Sequence, residues 1–258
     1  MKINRTTQRT VQILKLISSR QEGITLDEIC EILQIPKTSG YDIITTLVSM
    51  GMVNLTKGQK QKYSIGLAAY RIGINYTNNM DFLGIIEPVL KDFAKEMKKT
   101  VFFGVPSDYE IVYISKYEPD NPIITTATVG MKNPMYCTSL GKAILAYMND
   151  QDREQIVTHI KYKPRTEFTI TARQKLEAEL EKIRNLGYAV DFRELEEHMV
   201  CVGAPVYDRD SNVSGAISVS GLYREQEDYA AIGRKVKNKA EEISKLLGFL
   251  KPRSGDGK

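Results

Sequence analysis

The stretch Ile24-Thr25-Leu26-Asp27-Glu28-Ile29-Cys30-Glu31-Ile32-Leu33-Gln34-Ile35-Pro36-Lys37-Thr38-Ser39-Gly40-Tyr41-Asp42-Ile43-Ile44-Thr45-Thr46-Leu47-Val48-Ser49-Met50-Gly51 decides the N-terminal fold. Thr25 and Glu28 have the spacing of a capping box, in which each side chain can satisfy the other's backbone amide. Leu26, Ile29, Cys30 and Leu33 follow at i, i+3, i+4 and i+7, a short amphipathic helix with Cys30 on its apolar face as core filler. Gln34-Ile35-Pro36 leaves room only for a turn, and Pro36 suits a helix entry. In the next segment Ile43, Ile44, Leu47 and Val48 form an inner face, while Thr38, Asp42, Thr45 and Ser49 fall on the outer one. Gly51 closes it. Two helices, a tight turn and a hydroxyl-rich outer face make a helix-turn-helix pattern.

Upstream, Val11, Leu14 and Ile17, with Ile13 and Leu16 beside them, predict a preceding helix. Downstream, Met52–Leu55 and Gln61–Ile65 read as strands around Thr56-Lys57-Gly58-Gln59-Lys60, a hairpin with Lys57, Lys60 and Lys62 at and beside its tip. A basic hairpin after a helix-turn-helix is the wing of a winged helix, and its ammonium groups suit phosphate contacts. The charge distribution agrees. Residues 1–80 hold 10 Lys and Arg against 5 Asp and Glu, leaving 26 of the 36 basic and 27 of the 32 acidic residues to the remainder. The excess positive charge lies in the first third, as a polyanion-binding head requires.

The head runs through an apolar helix, Leu67 to Tyr76, to a polar break at Thr77-Asn78-Asn79. This gives an expected boundary between residues 1–78 and a body of 79–250, with 251–258 as a tail. Phe82, Ile85, Ile86, Val89, Leu90 and Phe93 predict a second connector helix, with Pro88 imposing a kink or a restart at Glu87. Strands are expected at 100–105, 111–117 and 123–129. Helices are expected at 139–148, at 151–160 and from a cap at Thr171 to Gly187, with a Leu176, Leu180, Ile183 and Leu186 stripe. Strands return at 188–192, 199–207 and 214–220, and a last helix spans 225–247. No internal repeat is visible. Strands, helices, strands and a closing helix make a mixed α/β body of the α+β kind with a mostly antiparallel sheet.

The residues then resemble a known family. Thr6–Leu14, Ile24–Ile29, Ile35–Ser39 and Tyr63–Gly66 in the head are similar to the bacterial transcription regulators of the isocitrate lyase regulator (IclR) type. So are Thr138–Ala146, Gly187–Asp191, Cys201–Asp208 and Gly215–Gly221 in the body. The resemblance covers residues 5–247. It implies an N-terminal winged helix-turn-helix on a double-stranded DNA operator and a C-terminal GAF-like effector-binding domain for a small organic or aromatic acid. It further implies a homodimer or tetramer whose connector helices carry dimer contacts, and repressor action. The DNA-contacting set it implies is Arg9, Lys37, Thr38, Ser39, Tyr41, Asp42, Thr45, Lys57, Lys60 and Lys62. One departure stands out. The family commonly carries Arg after its aromatic or His position in the recognition helix, whereas Tyr41 is followed by Asp42. A carboxylate there either accepts from cytosine N4 or orients Lys37 or another neighbour.

For the effector, Ser218 and Ser220 are two apart on a strand, so both hydroxyls face one side of the sheet. The family pattern brings Asp191 and Cys201 beside them. Gly130 and Met131 follow a strand and offer a backbone amide and an apolar lid. Hydroxyls and amides among apolar walls are what a compact polar ligand needs.

Other classes fit less well. The 258 residues are 42% hydrophobic and 26% charged, values of a globular chain rather than a disordered one. No window approaches the ~18 consecutive apolar residues of a membrane span. The N-terminus lacks the apolar core of a secretory signal, and Cys30, Cys137 and Cys201 are few, odd in number and widely spaced. A reduced, cytoplasmic setting follows. The only histidines are His159 and His198, so a Cys/His enzyme would need Cys137 or Cys201 beside one of them. No Gly-x-Ser-x-Gly, His-Glu-x-x-His or phosphate-cradling GxxxxGK motif occurs, and no cofactor or metal is expected. The alternatives are a sensor that regulates a protein partner through its winged helix or, last, a Cys/His-dependent enzyme.

Overall fold

The computed structural model describes residues 3–56, 61–78, 81–122 and 125–249, and the chain divides into two compact units, Met1–Asp81 and Phe82–Lys258. The first unit is built from α1 (Arg5–Ser18), α2 (Leu26–Leu33), α3 (Lys37–Ser49), β1 (Val53–Thr56), β2 (Lys62–Ile65) and α4 (Leu67–Asn78). The Thr25–Glu28 capping box forms at both bonds: Glu28 N–H donates to Thr25 Oγ1, and Thr25 N–H donates to Glu28 Oε2 at 2.8 Å. These bonds hold the Glu28 carboxyl below its ordinary pKa. Gln34 turns the chain in the left-handed region (φ 52°) and its N–H returns to Cys30 O, ending α2.

Gly40, buried inside α3, explains how closely α2 and α3 cross. A Cβ there would lie 2.6 Å from Cys30 Sγ, so only glycine admits this contact without a shift. Ile13, Ile17, Ile29 and Ile44 are fully buried at the centre, with Val53 and Tyr63 closing it from the hairpin. The expected stripe on α1 is displaced: Ile13 and Ile17 carry it, whereas Val11 is 45% exposed. The cause is geometric, since a helix crossing two others buries an i, i+4 ridge rather than a broad face.

The second unit is a six-stranded sheet in the order β5-β4-β3-β8-β7-β6, antiparallel throughout. The strands are β3 (Thr100–Ser107), β4 (Glu110–Tyr117), β5 (Lys132–Pro134), β6 (Ala189–Phe192), β7 (Met199–Tyr207) and β8 (Val213–Leu222). On one face lie α5 (Asp81–Met97) and α9 (Tyr229–Leu246), which bury Ile86, Leu90, Phe93, Val236 and Ile243. On the other lie α6 (Ser139–Tyr147), α7 (Asp150–His159) and α8 (Arg173–Leu186), around Leu140, Ile144, Leu176 and Leu180.

Of the two readings of Pro88, the restart does not occur, since α5 runs continuously through it. Two expectations are corrected. No strand occupies 125–129, residues 123 and 124 of that reading lying outside the described residues. Tyr113 of β4 donates its N–H to Met131 O and accepts the Gly130 N–H, so its edge is filled by the Gly130 turn and β5. Residues 125–129 therefore leave the sheet edge. Nor does Thr171 cap α8. The N-cap is Ala172 with no side-chain bond, and Arg173 ties the first turn instead to Glu177, Glu154 and Thr158. At the other end Leu186 is exposed, because Gly187 turns the chain in the left-handed region (φ 84°) one residue later.

Candidate functional site

The outer ridge of α3 presents Thr38, Asp42, Thr45 and Ser49, all exposed, with the Tyr41 ring beside them at 55% exposure. The hydroxyls are preset by their own helix. Thr45 Oγ1 donates to Tyr41 O at 2.8 Å, and Ser49 Oγ donates to Thr46 O at 2.7 Å. With their hydrogens committed, these oxygens turn acceptor lone pairs outward. Asp42 engages no other described side chain, so its carboxylate stands free on the ridge. It does not orient Lys37, which instead pairs with Asp27 at 2.8 Å, and this partner raises the Lys37 pKa.

The N-terminus of α3 has no side-chain cap, and its first-turn amides carry the positive end of the helix dipole. Arg9 reaches across from α1 and donates to Ser39 Oγ at 3.1 Å, which fixes that end of the ridge and leaves most of the guanidinium donors available. On the hairpin Lys62 opposes Thr56 at the start of β2, half-buried. Lys57 and Lys60 lie outside the described residues.

In the second unit the register places Thr100, Ser220, Cys201 and Asp191 in one row across β3, β8, β7 and β6, so their side chains share a face. Asp191, Cys201 and Ser220 line a recess of about 350 Å³, counting its open mouth, together with Phe102, Tyr113, Thr125, Ala127, Leu195, Glu196 and Met199. Only about 30 Å³ of it is wide enough for the centre of a water molecule. Thr126, between the lining residues Thr125 and Ala127, donates its hydroxyl to Glu196, another residue of the lining.

The polar groups are mostly committed. Asp191 Oδ1 accepts the N–H groups of Glu194 at 2.8 Å and Leu195 at 3.4 Å, while Oδ2 accepts no hydrogen bond among the described residues. Burial pushes the Asp191 carboxyl up to about 7, against a partial pull downward from Lys142. Ser220 Oγ donates to Cys201 Sγ at 3.1 Å, and burial holds that thiol above its ordinary range. Thr125 Oγ1 is buried without a partner, and Tyr113 OH accepts from Asn133 at 3.2 Å. Unsatisfied hydroxyls around a recess are open valences for a ligand.

Ser218 sits one row along, opposite Phe102 and Gly203, buried and outside the recess. A Cβ at Gly203 would meet Ser139 O at 3.0 Å, so the start of α6 comes down on the sheet there. Gly130 and Met131 are also outside: the Gly130 amide is spent on Tyr113 O, the Met131 amide on Thr128 O, and Met131 is 39% exposed.

The sequence reading passed over Lys142. It is fully buried at the start of α6, donates to Val190 O at 2.7 Å and to Glu194, and has Glu179 at 3.9 Å. It thereby holds the end of β6 and the turn whose amides fix Asp191. The available signal was its apolar surroundings, Leu140 and Ala143-Ile144-Leu145-Ala146, among which a lysine must find a partner.

Among known proteins, residues 6–55 match the family model described as the IclR helix-turn-helix domain, and residues 74–245 match that of the bacterial transcriptional regulator IclR C-terminal. HTH-type transcriptional regulator KdgR of Escherichia coli (strain K12) is 30% identical over 209 residues, covering 81% of this chain and 78% of that protein. Transcriptional repressor IclR of the same organism is 25% identical, over 94% of this chain and 90% of its own. The crystal structure of the Thermotoga maritima IclR superposes with a TM-score of 0.74 at 32% identity, over 95% of this chain and 99% of that one.

Proposed function

The chain belongs to the IclR family, transcriptional regulators with a DNA-binding helix-turn-helix and a ligand-binding C-terminal domain, and on that premise we propose that it is a repressor relieved by a small organic acid or related metabolite. The observation that carries the DNA half is the free ridge of α3. Its acceptor-presenting hydroxyls and its unpaired Asp42 suit base amino groups in the major groove, while Arg9, Lys37, Ser39, the first-turn amides and Lys62 suit phosphates. A relative that is named a repressor supports the sign of regulation. Leu67 and Tyr70, one turn apart on α4, and Ile72 on another side of it are each more than 60% exposed, apolar surface suited to a second copy, so the acting species is a homodimer or a tetramer built from it. Two heads then meet half-sites about one or more helical turns apart. The work is done inside the cell on the chromosome.

The effector enters the recess beside Asp191, Cys201 and Ser220, where the hydroxyls of Thr125 and Tyr113 have hydrogens to donate to it and Ser220 Oγ, its own hydrogen given to Cys201 Sγ, can accept. To fit, it lifts the segment joined by Thr126 to Glu196. Only a ligand with different affinities for the DNA-competent and the released forms shifts their balance. The test is a footprint of the full chain on the DNA upstream of its own coding region, with and without candidate metabolites, repeated on Ser220→Ala. The variant should hold the operator like the wild type and respond to the effector only at higher concentration. Loss of effector-free DNA binding in Ser220→Ala would contradict a purely sensory recess.

A further inference from the structure

Charge in the recess sets a condition on any anionic ligand. Among the described residues the lining offers two carboxylates, Asp191 and Glu196, and no Lys, Arg or His. The nearest cation behind it, Lys142, is already spent on Val190 O and Glu194, with Glu179 at 3.9 Å. The groups facing Asp191 are Lys142 from α6, Glu194 and Glu196 from the turn after β6, Cys201 from β7, Tyr113 from β4 and Cys137 just before α6. Burial keeps Cys201, Tyr113 and Cys137 in their neutral forms at physiological pH. Lys99, further along the sheet, is held by Glu227 at 2.8 Å. With Asp191 and Glu194 both ionised, Lys142 balances only one of the two carboxylates before a ligand arrives. An incoming carboxylate would face the unpartnered Oδ2 in a space holding about two waters, too few to screen it. A proton on that oxygen removes the repulsion and makes it a donor to the ligand.

We propose that the recess binds an anionic effector together with one proton, taken from solvent and held at Asp191, so that this residue sets both the charge selectivity and the pH dependence of the response. The inference rests on reading the recess as the effector site. Because burial brings the carboxyl to about 7, the proton is at hand near neutrality and becomes scarce as pH rises.

The test uses the full-length protein and ligand pairs matched in shape but not in charge: lactate with lactamide, and benzoate with benzamide. Binding is followed by thermal shift and calorimetry from pH 6 to 8.5. The Kd of the carboxylates should rise about tenfold per pH unit above 7, the signature of one linked proton, while that of the amides stays flat. Calorimetry at pH 8 in two buffers of different ionisation heat should count about one proton taken up per carboxylate bound. Asp191→Asn keeps the oxygen that accepts the two backbone amides, and should bind the carboxylates with no pH slope. A flat Kd for the carboxylates in the wild type, or a slope that survives in Asp191→Asn, overturns the inference while leaving the recess as the site. If no member of any pair binds at any pH, the reading of the recess fails and the inference falls with it.

Discussion

Replacing Lys142 by Met tests whether the floor of the recess is held by charge. The methionine stem fills much of the lysine volume, so the apolar contacts around Leu140 and Ile144 largely survive. Two things are lost: the donor to Val190 O at 2.7 Å and the positive partner of Glu194, whose Oε2 is already buried without a bond. Breaking a buried pair from one side costs about 3–5 kcal/mol, because the remaining charge is left uncompensated. The cost should depend on pH in a defined direction. Burial raises the Glu194 pKa and Lys142 pulls it down, so the variant raises it further. A carboxyl whose folded pKa exceeds its unfolded value destabilises as pH rises above the unfolded value, and the penalty vanishes once both states are protonated. Lys142→Met should therefore be much less stable than wild type at pH 8 and approach it near pH 4. Lys142→Met with Glu194→Gln should recover most of the loss at pH 8. The assay is urea unfolding of the full chain at both pH values, followed through the second unit's transition. A cost below about 0.5 kcal/mol at pH 8, or no recovery in the double variant, would refute a charge-held floor, since that is the range of ordinary surface changes.

Other outcomes are expected elsewhere. Asp191→Asn should raise the stability of the ligand-free protein at pH 8 by up to about 4 kcal/mol, with the gain fading toward pH 4, because a pKa lifted from its ordinary value to about 7 makes the wild type pay as pH rises between them; melting temperature against pH measures it. Asp42→Ala should change the ranking of operator variants by about 1–3 kcal/mol at one base pair while leaving non-specific affinity close to wild type, read by competition binding. Lys62→Ala should weaken binding to all duplexes alike and reduce the slope of log affinity against log salt by about one.

The head was legible because its signals are local. The Thr25–Glu28 box and the i, i+3, i+4 pattern of α2 each depend on neighbours a few residues apart and formed as spaced, and the two strands of the hairpin pair, with residues 57–60 outside the described residues. Gly40 passed unremarked because its reason, contact with Cys30 across the turn, is tertiary. In the body the order of elements was readable and the exceptions share a cause. The run before Gly130 has the composition of a strand, yet Tyr113 had already given its edge to Gly130 and Met131, and composition carries no record of who occupies an edge. Ser218 and Ser220 share a face as their spacing required, but spacing does not say that α6 descends at Gly203 and leaves only Ser220 in the recess. Lys142 was invisible for the opposite reason: a lysine reads as surface until a buried acceptor is found for it.

The most direct measurement is the affinity of the purified full-length chain for the DNA upstream of its own coding region, titrated across salt from 50 to about 200 mM. Tight binding that weakens steeply with salt, and that unrelated duplex of equal length fails to match, is the expected result. Salt-insensitive or absent binding to every duplex tried would contradict the assignment of α3 and the hairpin to DNA.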